Sequence, residues 1–196
     1  MTTAPPVAGL VLTGGASRRL GVDKATLLLD GETLAGRAAR VLSTACAPVL
    51  EVGPGVTELP AVDEGARHRG PLVAVAAGGD ALRARGHAGS SIVLAVDLPR
   101  IDVRLLELLR DWRGAPTVVP EVDGRRQTAC ARYGGDALLA ARSLVDGGVR
   151  RLHDLLDIVD VDRIGADVWG SVTTPSAFAD VDTLADAARL GVQLPG

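Results

Sequence analysis

Aromatic side chains are nearly missing from this sequence: they make up 2% of 196 residues, as one Tyr, one Phe and two Trp. A chain so short of rings cannot lay out the stacking platform on which single-stranded nucleic acid is held. No basic stripe takes its place, since 21 Lys and Arg stand against 24 Asp and Glu for a net charge of −3. Nucleic acid is therefore not an expected partner. Long apolar runs are absent too, and none approaches the length that spans a bilayer. Residues 1–6 carry no positive cluster of the kind that opens a signal peptide. The expectation is a cytoplasmic protein with no membrane partner. Cysteine is scarce, and Cys46 and Cys130 lie far apart without metal-ligand spacing; each reads as a small buried hydrophobe. The three histidines, His68, His87 and His153, have no spacing that suggests a triad or a zinc site, and receive no role.

What is present is a large apolar fraction, 47% of the chain. It is enough for a sizeable core, which must be built from Ala, Val and Leu. The length suits one domain, residues 1–196. Apolar runs at 7–12, 48–52, 91–96 and 117–119 read as strands, with shorter ones at 61–63, 127–133 and 158–161. Helical spacing recurs at 33–45, 70–85, 102–112, 136–145, 149–156 and 183–190, and 165–176 reads as loop. Gly78-Gly79 weakens the expectation that 70–85 is continuous. Strands alternating with helices argue for an α/β fold with a mainly parallel sheet. In such a sheet a ligand sits beyond the carboxyl ends of the strands, at a topological switch point. Three groups fall at strand ends here: the Gly14-Gly15 pair, Asp63 and Asp97.

The first of these lies in the stretch around which the chain is organised, Val11-Leu12-Thr13-Gly14-Gly15-Ala16-Ser17-Arg18-Arg19-Leu20-Gly21-Val22-Asp23-Lys24. A buried strand stops at two glycines, whose missing Cβ lets backbone N–H groups approach a ligand closely. Arg18, Arg19 and Lys24 supply positive charge beside those N–H groups, a combination that suits a polyphosphate. It is not a P-loop, because no Gly-Lys-Ser/Thr closes it, and it is not Gly-x-Gly-x-x-Gly. Asp97 follows the most strand-like run, and Pro99 stops regular continuation. A carboxylate there requires a cation, for which phosphate-bound Mg²⁺ is the natural choice; the alternative is an N-cap for the next helix.

The pattern Leu-x-Gly-Gly-x-Ser-x-Arg-x-Gly-x-Asp-Lys, Leu12 to Lys24, resembles the signature of nucleotidyltransferases that make sugar-nucleotide-like products. Within them it is similar to the molybdenum cofactor guanylyltransferase group. Thr13 stands where that family usually has Ala, and Leu20 where it usually has Met. The resemblance runs over nearly the whole length and is strongest at 10–24, 70–72 and 97–99. It implies a three-layer, Rossmann-like nucleotidyltransferase fold. The N-terminal half would bind nucleotide and the C-terminal half the acceptor. The reaction it implies is transfer of GMP from GTP to the molybdopterin cofactor with release of pyrophosphate. Transient contact with molybdoenzyme-maturation proteins is part of the same expectation.

The resemblance also implies site residues. Lys24, Arg19 and Asp97 are the expected catalytic groups, the two cations taking up charge on the phosphates. Arg18 occupies a variable slot. Leu12, Thr13, Gly14, Gly15, Lys24, Asp63 and Asp97 are the expected nucleotide contacts, with Asp63 equally readable as a turn residue. The family often has Asn near Gly53; its absence leaves guanine, cytosine and adenine open, so a cytidylyl or other nucleotidyl transfer is the alternative activity. A non-catalytic nucleotide-binding adaptor is the alternative of another class. The family's Asn-x-Asn-Thr is here Asp180-Val181-Asp182-Thr183. Asp180 is the expected second metal-side ligand beside Asp97, with Mg²⁺ as cofactor, and Asp182 the expected helix N-cap. Arg126, Gln127, Arg150 and Arg151 match segments facing the pterin and its phosphate, although a basic pair on a short helix also reads as plain surface.

Overall fold

In a computed structural model, the structure describes residues 6–14, 20–63 and 70–195. Strand β1, Ala8–Leu12, is buried along its whole length. It runs parallel to β4 (Val49–Val52) on one side and to β6 (Ser91–Ala95) on the other. An apolar run without polar alternation is what a strand covered on both faces requires. Beyond β4 lies β5, Ala61–Val62, also parallel. On the other side β6 pairs antiparallel with β9 (Cys130–Tyr133), which pairs antiparallel with β7 (Thr117–Val122). Strand β10, Val161–Ile164, closes that edge parallel to β7. The order is thus β10-β7-β9-β6-β1-β4-β5, with β8 (Arg125–Arg126) folded back on β7. The two antiparallel reversals at β9 cancel, so β7 points the same way as β1, β4 and β6. Leu12 sits level with Val52 and Ala95, so the strand ends share one edge of the sheet.

Helices cover both faces. Alternate residues of β1 face opposite ways, so Val11 packs with α1 (Leu34–Ala45) and α3 (Val103–Asp111), while Leu10 and Leu12 pack with α2 (Pro71–Ala84), α4 (Gly135–Asp146) and α5 (Leu152–Leu156). Three layers result, as expected. Helix α2 is unbroken through Gly78-Gly79. A Cβ on Gly78 would come within 2.7 Å of Leu10 Cδ1, so the glycine lets helix and sheet approach closely. A 3-10 turn at Lys24–Thr26 leads to a small hairpin, β2 (Leu28–Leu29) with β3 (Glu32–Thr33). Asp30 and Gly31 make its turn at positive φ, as the Asp-Gly pair suggests.

Three expectations need correction. The last strand lies at Val161–Ile164 instead of 158–161: Ile158 is 61% exposed, and pairing with β7 begins at Val161↔Thr117. The 127–133 run is strand only over Cys130–Tyr133. Asp123 and Gly124, both at positive φ, turn the chain into the β7–β8 hairpin, and pairing with β6 starts only at Cys130. Residues 165–176 hold α6 (Ala166–Trp169), because Trp169 buries itself edge-on against Phe178, ring centres 5.2 Å apart. The final helix α7, Leu184–Leu190, follows. No helix of the described residues is long and apolar enough to cross a membrane.

Candidate active site

Lys24 opens the 3-10 turn, which Asp23 caps by accepting from the Ala25 N–H at 3.0 Å. With Ala25 buried beneath it, the turn aims the Lys24 side chain across the ends of β1 and β6. Its Nζ donates to Asp97 Oδ2 at 3.1 Å and to Asp182 Oδ1 at 2.5 Å. Burial alone would lower the Lys24 pKa. The Asp97 charge, followed by the hydrogen bonds to Asp182 and Asp97, outweighs it, and the pKa is raised. The ammonium is therefore a fixed cation at neutral pH.

Asp97 stands just past the end of β6. Its carbonyl accepts from the Val181 N–H at 3.0 Å, which stitches the 180–182 segment to the strand end. Helix α3 is capped by Asp102, which leaves Asp97 to the cleft. Asp182 is not the N-cap of α7. Thr183 takes that place in a capping box with Asp186, because its hydroxyl reaches the N3 amide one residue closer to the helix. Asp182 is thereby released to pair with Lys24. Asp180 turns toward a neighbouring cavity, and its pKa is raised by desolvation first and then by the charges of Asp182 and Asp97.

That cavity, about 790 Å³, lies between the β7–β8 hairpin and the segment before α7. Asp123, Arg125, Arg126, Gln127 and His153 line it with Asp180. Arg126 is held by Asp157 at 2.7 Å, and Gln127 by the Arg125 carbonyl at 3.2 Å. Two of the expected acceptor residues therefore face the cavity. Arg150 and Arg151 are not among the residues that line it. The Arg150 guanidinium closes the end of α4 by donating to the Val145 and Val149 carbonyls, and Arg151 precedes α5 as an exposed residue. On the other side of β1, Leu12, Thr13 and Gly14 form the strand end beside Gly53, and Asp63 ends β5 on the same edge. Gly15 and Arg19, like Arg18 and His68, lie outside the described residues.

Two residues beside the cleft received no role from the sequence. His153 carries no sequence signal beyond its place on a short helix. Glu51 does carry one: a carboxylate inside the apolar run Val49-Leu50-Glu51-Val52. It is fully buried and accepts hydrogen bonds from Thr13, Gly55, Val56 and Thr57.

The metal question is one of donors. Among the described residues, no three His, Cys, Asp or Glu side chains converge on one point. A hard divalent cation would thus take one or two carboxylates and complete its shell with phosphate oxygens and water, the habit of Mg²⁺. Asp97 and Asp182, both reached by Lys24, with Asp180 beside them, fit that oxygen-donor chemistry.

Residues 9–160 match the model of the MobA-like NTP transferase domain. The chain belongs to this family. It is a nucleotidyltransferase. A Mycobacterium tuberculosis protein named "Probable molybdenum cofactor guanylyltransferase" is 38% identical over 170 residues, 81% of this chain and 83% of that one. One of the same name from Mycobacterium marinum is 36% identical over 196 residues, 93% and 92% of the two chains. Among solved structures, molybdopterin-guanine dinucleotide biosynthesis protein A from Archaeoglobus fulgidus superposes with a TM-score of 0.78 at 21% identity, covering 94% of this chain and 96% of that one. Another M. tuberculosis protein, solved in complex with manganese, gives 0.65 at 20% identity, over 95% and 98% of the chains. The α/β fold with its mainly parallel sheet and the family are thus as the sequence led us to expect.

Proposed function

We propose that this nucleotidyltransferase moves GMP from GTP to the terminal phosphate of the molybdopterin cofactor and releases pyrophosphate. The observation that carries the reading is Lys24, held between Asp97 and Asp182 where β1 and β6 end, with the Gly14 turn on one side and the Arg126 cavity on the other. The triphosphate lies over the Gly14 turn, and the acceptor enters through the cavity. An acceptor phosphate oxygen attacks the α-phosphorus in line. One P–O bond forms, the bond to the β-phosphate oxygen breaks, and the electron pair leaves with pyrophosphate. Lys24 stays charged throughout and stabilises the phosphate oxygens on which charge builds, with Arg19 as its expected second. Asp97 and Asp182 orient that ammonium. Mg²⁺, when bound at Asp97 with Asp180 or Asp182, supplies charge neutralisation on the phosphates. Arg126 and Gln127 position the acceptor's phosphate, and positioning contributes most of the rate. The N-terminal half is the nucleotide side and the C-terminal half the acceptor side, within one domain.

The names of the relatives support guanine and molybdopterin as substrates; a cytoplasmic setting and transient hand-over to molybdoenzyme-maturation proteins are part of the same proposal. The test is a thermal-shift screen of GTP, CTP and ATP with Mg²⁺, followed by pyrophosphate release on addition of the molybdopterin cofactor. Selective stabilisation by GTP and turnover with the acceptor are expected. Selective stabilisation by CTP would move the assignment to cytidylyl transfer. GTP binding without turnover on the true acceptor would leave an adaptor.

A further inference from the structure

The strand order leaves one place for the nucleoside. Lys24 and Asp97 mark the phosphates at the β1–β6 boundary, and the acceptor cavity lies beyond β9, at β7 and β8. The base must extend the other way, over the ends of β1 and β4. There position 53 offers no reading side chain: it is glycine at φ +150°, and a Cβ would fall on the Thr13 hydroxyl. What it offers is the exposed loop Pro54-Gly55-Val56, fixed from below by Glu51.

The Glu51 carboxylate is fully buried between β1 and β5. Oε1 accepts from the Thr13 hydroxyl at 2.7 Å and from the N–H groups of Gly55 and Val56 at 2.8 and 2.9 Å. Oε2 accepts from the Thr57 N–H at 2.8 Å and its hydroxyl at 2.6 Å. Although desolvation alone would raise its pKa, these bonds hold it below the usual carboxylate range. In a trans peptide the C=O points opposite to the N–H of the next residue. Three consecutive N–H groups turned in toward one carboxylate therefore turn the carbonyls of Pro54, Gly55 and Val56 outward, as a row of acceptors.

Resting on the nucleotidyl-transfer reading above, we propose that Glu51 is a positioning residue for base selection: it locks loop 54–57 to Thr13 so that an outward row of backbone carbonyls selects a base edge rich in donors. Guanine presents adjacent N1–H and 2-amino donors. Cytosine and adenine present one amino group beside a ring acceptor, which the carbonyl row repels. The asparagine that the family resemblance leads one to expect near Gly53 is thereby replaced by backbone.

The experiment is calorimetric binding of GTP, ITP, CTP and ATP with Mg²⁺ to the full chain, to Glu51→Gln and to Thr57→Val, each checked for folding by circular dichroism. Gln keeps the shape but offers one acceptor oxygen and adds N–H donors facing the loop's own. The GTP-to-CTP preference should fall about tenfold in Glu51→Gln, some 1.4 kcal/mol. It should fall about threefold in Thr57→Val, which loses one hydroxyl bond and serves if the first variant does not fold. ITP, lacking the 2-amino donor, should lie between GTP and CTP in the native chain. An unchanged preference ratio in folded variants, or equal weakening of every nucleotide, overturns the role of Glu51 and leaves the guanine reading standing. A native chain that prefers CTP or ATP overturns the guanine reading and the donor-selecting row with it.

Discussion

On the β4 side, the cleft presents peptide groups set by a buried carboxylate, and the strands beneath are all parallel. On the β7 side the cleft presents charged side chains on the β7–β8 hairpin and on the segment before α7, of which Arg126 is already engaged by Asp157 at the end of α5. Rigidity on the first side comes from burial, where breaking one bond leaves a polar group stranded in low dielectric. Rigidity on the second comes from exposed pairs and caps, each of which contributes little and is screened by salt. A nucleotide presents the same triphosphate and base in every turnover and suits a preformed wall. A bulky acceptor that enters and leaves is better served by side chains that can exchange partners.

The boundary between the two sides is where a change is most damaging. Asp97→Asn keeps the shape and the backbone bond to Val181 but removes the charge that holds Lys24. Turnover should drop about 10³-fold or more, read as pyrophosphate release, with an unchanged circular dichroism spectrum. Retained turnover would remove Asp97 from the chemistry. Lys24→Ala follows, with kcat/KM down about 10²-fold. Because it also leaves Asp97 and Asp182 facing each other uncompensated, triphosphate binding should weaken with it, and an unaltered rate would reject the fixed cation.

How much of this was readable beforehand differs between the same two sides. Strand β1 and the strand-end position of Asp97 announce themselves through a local pattern, apolar run then glycine or carboxylate, and local patterns survive folding. The longer helices did likewise, including α2, whose Gly78 costs propensity but permits contact with Leu10, whereas the four-residue α6 did not. Legibility failed where a residue's role depends on a distant partner. Asp182 looks like a helix cap until the Val181–Asp97 bond places it by Lys24. Arg150 looks like a phosphate ligand until the end of α4 claims it. Strand β10 slips past Ile158 because its register is set by β7, some 40 residues earlier by sequence, a pairing that no short window contains.

The acceptor side should answer more weakly. Arg126→Ala removes a cation from the cavity, but one that already spends part of its charge on Asp157. The acceptor's KM should rise about tenfold, some 1.4 kcal/mol, with the larger change falling on acceptor rather than on GTP. The contrast sharpens if Gln127→Ala adds less than Arg126→Ala, since a neutral amide holds a phosphate less strongly than a guanidinium. An equal rise in GTP KM would mean that the two sides are not separate.

The smallest effect belongs to the cap behind Asp180 and Asp182. The Thr183 hydroxyl and N–H both donate to Asp186 Oδ2, at 2.7 and 3.0 Å, and the Asp186 N–H donates back to the hydroxyl at 3.1 Å. Thr183→Ala should cost about 1 kcal/mol, a fall in Tm of about 2–4 °C for a chain of this size, and Thr183→Ser should restore it. The Asp186 carboxyl is held down at about 2 by the Thr183 and then the Arg189 hydrogen bonds. A lowered carboxylate supports the fold above its unfolded value of about 3.9 and loses that support as pH falls toward its folded value. Native and Thr183→Ala proteins should therefore differ in urea stability at pH 6 and converge as pH falls from about 4 toward 2. On the β4 side, Glu51 is lowered by bonds from a whole loop, so acid should release that loop and weaken GTP binding there. Acid loosening of both sides in step would mean that one cooperative unit, and no division of labour, underlies the cleft.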